Sequence, residues 1–530
     1  MRYKLEANGS QTLFALTRIA RFWPAVVAAL FPVLQVPFAV DAYILPRVVL
    51  LLVACAVGLL LTGLVLKDSL VPLGWRLGLP ALAVVIAALL GMAFSVSLPV
   101  SVVGQYLRYE SAVVRVAYVL LLCVTVWLLS GAGEADRRRA LSWFLFGCLV
   151  ASIEAAWEWI AFQYGLVGGL ARPDGNLGNA SLLGVLDAMA VPILLDRLFR
   201  RGWRWAPVLA VVVIGLAAST SRSAWLGALL AALVVVALRL PRRYTPWAVA
   251  GGALLLLAAA AAAVGRLATL NSDPYTLRLA LWERVLPMIQ ARPLFGWGED
   301  AMGLVFGAYA HGLLPGITFD RAHSQPLDLA VAQGLVGLAA AVWFWSAYTV
   351  ETLRAGRWRR EECGALLAAI AAYGAWAAVN FDWVPATGPL WLLAGVGWSA
   401  AHHPDTATSA TPRPAPVAIL AAGIATLAGA VYFGILPLVA DVAYHASQPG
   451  QAVALDPLQA RYHRALGEEL VAAGRVAAGA AELRRAGDLG DDDAATWVEL
   501  GNAQSTLGNQ QAARDAYARA RAMDPAIATP

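Results

Sequence analysis

Uncharged apolar runs recur along this chain at close to the length of a bilayer crossing, and nothing else in it restricts the fold as much. Val48 to Leu66, Ala224 to Leu238 and Ala248 to Val264 are three of them. Each is near the roughly 20 helical residues that cross about 30 Å of hydrocarbon. Of the 530 residues 60% are hydrophobic and 14% charged, more apolar surface than a soluble domain can bury. The net charge of +5 would suggest a nucleic-acid partner in a soluble protein. Here the basic residues stand in short clusters between apolar runs, which is a topology signal, and no nucleic-acid partner is expected.

The runs predict spans at 22–40, 44–66, 77–96, 112–130, 141–164, 181–199, 206–219, 224–239, 247–265, 326–350, 363–381, 387–400 and 416–438. That is about 13 crossings. With residues 1–21 in the cytoplasm, 21 Lys and Arg residues fall inside and four, Arg47, Arg108, Arg172 and Arg222, fall in the short outside loops. This bias follows the positive-inside rule. The expected protein is an all-α polytopic bundle with its N-terminus inside, an outer loop at 266–325, a cytoplasmic linker at 401–415 and a last span at 416–438. Residues 440–530 then lie outside. Cys55, Cys123, Cys148 and Cys363 lie in or beside apolar runs without metal or redox spacing, and read as small hydrophobes.

After Ala440 the composition shifts to Ala, Gly, Arg and Asp, and two segments align 34 residues apart. Leu466-Gly467 matches Leu500-Gly501, Gly474 matches Gly508, and Ala486 matches Ala520. The pattern resembles the tetratricopeptide repeat, a stack of helix pairs. Fewer than three units are marginal alone, so docking on the membrane domain or on a protein partner is expected. The acidic run Asp491 to Asp493 reads as a solvated turn between repeats.

No phosphate-binding glycine loop, zinc signature or nucleophile elbow is present, so neither metal nor cofactor is expected. Polar residues instead gather at the expected outer face. Arg108 lies in Gly104-Gln105-Tyr106-Leu107-Arg108-Tyr109-Glu110, Arg172 in Arg172-Pro173-Asp174-Gly175-Asn176, and Arg222 in Ser221-Arg222-Ser223. The long loop carries Arg278-Leu279-Ala280-Leu281-Trp282, then Pro293-Leu294-Phe295-Gly296-Trp297-Gly298, then Ala322-His323-Ser324, and it closes on Gly334-Leu335-Val336-Gly337.

In order and spacing these elements resemble the O-antigen ligase and O-antigen polymerase superfamily. Its signature is an Arg-x-x-x-Trp helix, a Pro-Leu-x-Gly-x-Gly turn, an Ala-His-Asn segment and a Gly-Leu-x-Gly helix. Ser324 departs from it, standing where the family usually has Asn. The resemblance covers residues 20 to 400, and the repeat tail is similar to appendages of some members. It implies a membrane-embedded glycosyltransferase of the GT-C type in the inner membrane, taking a glycan from undecaprenyl pyrophosphate to lipid A-core or a similar acceptor. Polymerization of repeat units and glycosylation of protein Ser or Thr are alternative reactions, and a non-catalytic transporter or assembly scaffold is a reading from another class.

The residue chemistry suits the transferase. A pyrophosphate leaving group needs planar, permanently charged donors, and Arg222 and Arg278 match best, with Arg108 and Arg172 as helpers. A sugar hydroxyl needs a base of near-neutral pKa, which His323 supplies. Plainer readings stand beside these. Arg222 also reads as a lipid-headgroup anchor, Arg278 as a surface partner of Glu283, and His323 as a helix-entry residue bonded to a carbonyl. His311 is a weaker candidate base, and Asn179-Ala180-Ser181 matches a glycosylation pattern by chance.

Overall fold

The structure, a computed structural model, describes residues 2–65, 73–129, 132–166, 172–239, 243–244, 251, 274–310, 319–357, 362–402 and 416–530. The expected ninth span apart from residue 251, most of the linker at 401–415, and His311 lie outside them. The described residues are helical with no strand: α1 (Arg2–Val33), α2 (Ile44–Val65), α3 (Gly74–Ala93), α4 (Ala112–Leu128), α5 (Glu134–Gln163), α6 (Ala180–Arg201), α7 (Ala206–Ala218), α8 (Arg222–Arg239) and α9 (Pro274–Ala291). There follow α10 (Gln325–Ala332), α11 (Gly334–Arg354), α12 (Cys363–Ala377), α13 (Val384–Ala401) and α14 (Pro416–His445), the last with a π turn at Val431–Ile435. Among the described residues six helices are long and apolar enough to cross a membrane, and the protein is a multi-pass helical membrane protein.

Two helices form the axis of the bundle. All 18 residues of α13 are buried, and 16 of the 22 of α6. Small residues let their neighbours close in, as packing between membrane helices favours. A Cβ at Gly184 of α6 would stand 2.8 Å from Ser221 Cβ at the start of α8, and one at Gly227 of α8 would stand 2.6 Å from the Ala372 carbonyl oxygen of α12.

Two boundaries differ from expectation for visible reasons. The first helix ends at Val33, not near residue 40, and the chain turns through Pro37 with Val36 N donating to Ala42 O at 2.9 Å. Arg47, counted above as an outside loop residue, is fully buried and caps this end. Its Nε donates to Phe31 O at 2.7 Å and its guanidinium also reaches Tyr43 O and Asn176. It thereby satisfies carbonyls that the ending helix leaves open. The expected single span at 326–350 is broken into α10 and α11 at Gly334, whose φ is +68°. The Gly-x-Gly turn fills the break: Trp297 N donates to Val331 O at 2.7 Å, Gly298 N to Ala332 O at 2.9 Å, and Leu335 N to Pro293 O at 2.7 Å.

The tail forms two helix pairs, α15 (Ala460–Ala472) with α16 (Val476–Leu489) and α17 (Ala494–Thr506) with α18 (Gln510–Met523). The aligned glycines mark the same crossing in each pair. A Cβ at Gly467 would lie 2.8 Å from Leu483 Cγ, and one at Gly501 would lie 2.3 Å from Tyr517 Cε1. The pairs dock on the bundle: Gln105 Nε2 donates to Gly490 O at 2.7 Å, and Arg108 pairs with Asp492. The acidic run is therefore not a solvated turn. Asp491 is buried and accepts from Thr496 Oγ1, Asp492 meets Arg108, and Asp493 caps α17 through Ala495 N at 2.9 Å.

Candidate active site

At the end of the bundle where α6 and α8 begin, a cavity of about 630 Å³ collects residues from five separate parts of the chain. Arg172 comes from the approach to α6, Asn179 and Ser181 from its first turn, and Thr220 to Ser223 from the turn into α8. Arg278 comes from α9, His323 from the segment before α10, and Trp376, Asn380, Phe381 and Trp383 from the end of α12 and the turn into α13. Of the five residues singled out from the sequence, four share this cavity: Arg172, Arg222, Arg278 and His323. Arg108 is not among its lining residues. Its NH1 pairs with Asp320 at 2.7 Å and its NH2 with Asp492.

Local chemistry sets each group. Asn179 caps α6, accepting from Ser181 N at 2.8 Å, so the apparent glycosylation triplet has a helix-starting role. Arg172 donates to Thr220 Oγ1 at 2.8 Å and to Ser219 O at 3.3 Å, which ties the approach to α6 onto the turn that presents Arg222. Thr220 sits at φ +51°, and Ser219 Oγ accepts from Ser221 N at 3.2 Å across the turn. Arg222 then opens α8 at the cavity.

Arg278 and His323 are joined through the four-residue spacing of Arg278 and Trp282. One helical turn separates them. Trp282 Nε1 donates to Ala322 O at 2.8 Å, pinning the residue before His323, while Arg278 lines the cavity. Asp328 Oδ1 accepts from Ala322 N at 2.7 Å and holds the same point from α10. His323 has φ +51°, an unusual backbone for a residue with a side chain, and its ring packs edge-on against Phe319 and Phe381 with centroids 6.3 and 5.2 Å away. Burial pushes its pKa below the ordinary 6.5. Arg278 and Arg321 act in the same direction and Asp320 opposes them. The imidazole is therefore neutral, and able to accept a proton, at neutral pH.

Sequence reasoning missed the polar floor. Trp376 Nε1 donates to Ser181 Oγ at 2.9 Å, Ser181 Oγ lies 3.3 Å from Ser221 Oγ, and Asn380 Nδ2 donates to Ser223 Oγ at 3.0 Å. The signal was Asn380-Phe381-Asp382-Trp383, two polar residues held between two apolar runs. The lining as a whole holds three guanidinium groups, one imidazole, hydroxyls, an amide pair and indoles, and among the described residues no carboxylate.

Fold and cavity together define a multi-pass helical membrane protein with a cationic, histidine-containing site at one end of its bundle. Residues 206–342, the stretch that carries Arg222, Arg278 and His323, match the Wzy_C family, described as O-Antigen ligase. The match covers 137 of the 530 residues and supports an O-antigen ligase or polymerase type of function, with a glycan as the transferred group. No curated protein matches the chain.

Proposed function

We propose that the chain transfers a glycan from undecaprenyl pyrophosphate to a hydroxyl of lipid A-core or a similar acceptor at the outer face of the inner membrane, without a metal ion. The observation that carries this reading is the meeting of Arg172, Arg222, Arg278 and His323 in one cavity from segments up to 151 residues apart. In the proposed reaction the guanidinium groups grip the pyrophosphate and stabilise the charge that grows as its bond to the sugar C1 breaks. The acceptor oxygen forms the new bond to C1 from the opposite face and loses its proton to the neutral imidazole of His323. A single displacement of this kind inverts the anomeric centre. The products are the glycosylated acceptor, undecaprenyl pyrophosphate and a proton.

The N-terminus is proposed to be cytoplasmic, and the cavity and helical tail non-cytoplasmic, with the tail read as tetratricopeptide-like. The end of α6 away from the cavity supports this, since Arg197, Arg200, Arg201 and Arg239 gather there around Asp196 and Glu362. Cysteine labelling at Asp136 and Gly501 checks it: the first is expected inside and the second outside, and a labelled cytoplasmic tail overturns the placement.

Reconstitution with an undecaprenyl-pyrophosphate-linked glycan tests the reaction, scoring which acceptor gains sugar. Transfer to lipid A-core supports the ligase. Growth of the lipid-linked glycan itself, or glycosylation of protein Ser or Thr, replaces it with a polymerase or a protein O-oligosaccharyltransferase. No transfer to any acceptor by a donor-binding protein overturns the enzyme reading.

A further inference from the structure

Arg108 stands outside the cavity but is tied to its rim, because Trp383 Nε1, on the cavity wall, donates to Arg108 O at 3.1 Å. Its guanidinium divides between two carboxylates from remote parts of the chain. One is Asp320, three residues before His323, and the other is Asp492, in the turn between the two helix pairs of the tail. The same stretch of chain is locked to both sides a second time. Asp300 Oδ2 accepts from Gln105 N at 2.9 Å while Asp300 also pairs with Arg321, and Gln105 Nε2 donates to the tail at Gly490 O. The polar route from the tail to the segment bearing His323 runs through residues 105 to 108, beside an apolar one in which Met523 of α18 packs on Gly307 and Phe306 packs edge-on against Phe319.

We propose that Arg108 is a positioning residue through which the helical tail sets the seat and the charge surroundings of His323. The proposal rests on the reading of His323 as the base. The charged groups facing His323 are Arg278 from α9 and Asp320 and Arg321 from its own segment; the rings of Phe319 and Phe381 complete its surroundings. Burial works against the charge of Asp320, and Arg108 and Arg321 outweigh it and hold its carboxyl below the ordinary range. Loss of the Arg108 charge leaves Asp320 compensated by Arg321 alone, so more of its negative field reaches His323 and favours the protonated ring. Loss of the Asp492 charge does the reverse, since more of the Arg108 field then falls on Asp320 and its neighbour.

The test is a direct titration of the full-length protein in nanodiscs, with ¹³C-labelled histidine. The chain has six histidines, and His323→Gln assigns the signal. Arg108→Gln is expected to raise the His323 midpoint by on the order of half a pH unit, and Asp492→Asn to lower it by less. Midpoints that stay in place, or that move in the same direction in both variants, overturn the proposal, because loosening alone gives no opposed signs. If Arg108→Gln fails to fold, Asp492→Asn and Asp320→Asn carry the test, and both must lower the midpoint. The base reading is tested apart from this, by whether His323→Gln abolishes the low-pH fall of transfer from an undecaprenyl-pyrophosphate-linked glycan. A failed titration with that result intact sinks the coupling alone.

Discussion

In the cavity, Arg172 donates to the Thr220 hydroxyl and the Ser219 carbonyl, and Arg222 and Arg278 line a space walled by hydroxyls, an amide and indoles. Near the junction of bundle and tail, arginines pair with carboxylates. Arg108 meets Asp320 and Asp492, Arg321 meets Asp300, and Arg115 is within 3.6 Å of Glu110, Glu299 and Asp382. The same side chain thus serves two ends. A guanidinium matched by buried carboxylates holds segments together, and its field is spent locally. Guanidinium groups that line a cavity can present their charge to an anionic ligand there. Burial also acts on the junction carboxylates, raising Glu110 to about 7.

The sharpest way to break this division is at His323, where the largest effect is expected. His323→Ala should lose on the order of 10²- to 10⁴-fold in transfer, the usual worth of a positioned base. Donor binding should persist through the arginines. Because the pKa of His323 is lowered, the wild-type rate should fall only as pH drops through a midpoint below 6.5, and this fall should be missing from the residual activity of the variant. A variant that transfers normally, or that only fails to bind donor, removes the base assignment.

Next in size are Arg222→Lys and Arg278→Lys. Lysine keeps the charge and loses the planar fork, so each should lower transfer by about 10- to 100-fold, the worth of one or two charge-assisted hydrogen bonds. Expression should match wild type, since lysine keeps the charge and most of the side-chain length at each position. Wild-type rates in both variants would make them membrane anchors and erase the contrast with Arg108.

What the sequence made legible divides along the same line. Arg222, Arg278 and His323 were visible because each sits in a local pattern whose spacing has a physical reason, such as the single helical turn between Arg278 and Trp282. The multi-pass helical fold was visible in the apolar runs. The role of Arg108 was not, because its partners Asp320 and Asp492 lie 212 and 384 residues away, and no local pattern says whether an arginine will meet carboxylates or a ligand. Ser181 and Asn380 were hidden for a related reason: a single polar residue in an apolar run gives no sign of the network it joins. Arg47 misled, since its place between two runs looked like a loop while its side chain caps a helix end. The stretch across Gly334 reads as one span although Asp328 and Gln333 interrupt the apolar run, because the backbone donors that stabilise the break come from residues 297 and 298.

A smaller effect comes from the close approach of α8 to α12. Gly227→Ala puts a Cβ 2.6 Å from the Ala372 carbonyl oxygen, which is backbone within a packed helix and cannot swing aside. The helices must part until this contact clears 3.0 Å, which moves Ser223 away from Asn380 and Arg222 with it. The expected outcome is about a tenfold loss of transfer with donor binding weakened in step, and a fall in melting temperature. An unchanged rate would mean that the polar floor does not position Arg222.

The smallest effect on transfer is expected from the matching change in the tail. Gly501→Ala puts a Cβ 2.3 Å from Tyr517 Cε1, so here too something must shift, but the obstacle is a ring on the neighbouring helix. Tyr517 is also held by its hydroxyl, which donates to Asn502 Oδ1 at 2.8 Å, so displacing the ring costs a hydrogen bond as well as packing. Overpacking of this kind costs about 1–3 kcal/mol, and it falls on the α17–α18 pair. The Arg108 contact with Asp492 lies before α17, in the turn after α16, and need not move. Limited proteolysis should therefore cut the Gly501→Ala tail faster than the wild-type tail, while transfer stays within about twofold and the His323 midpoint is unchanged. A loss of transfer as large as that of Gly227→Ala, with Asp492 still seated on Arg108, would mean that the second helix pair itself reaches the reaction, and that the tail does more than hold the junction.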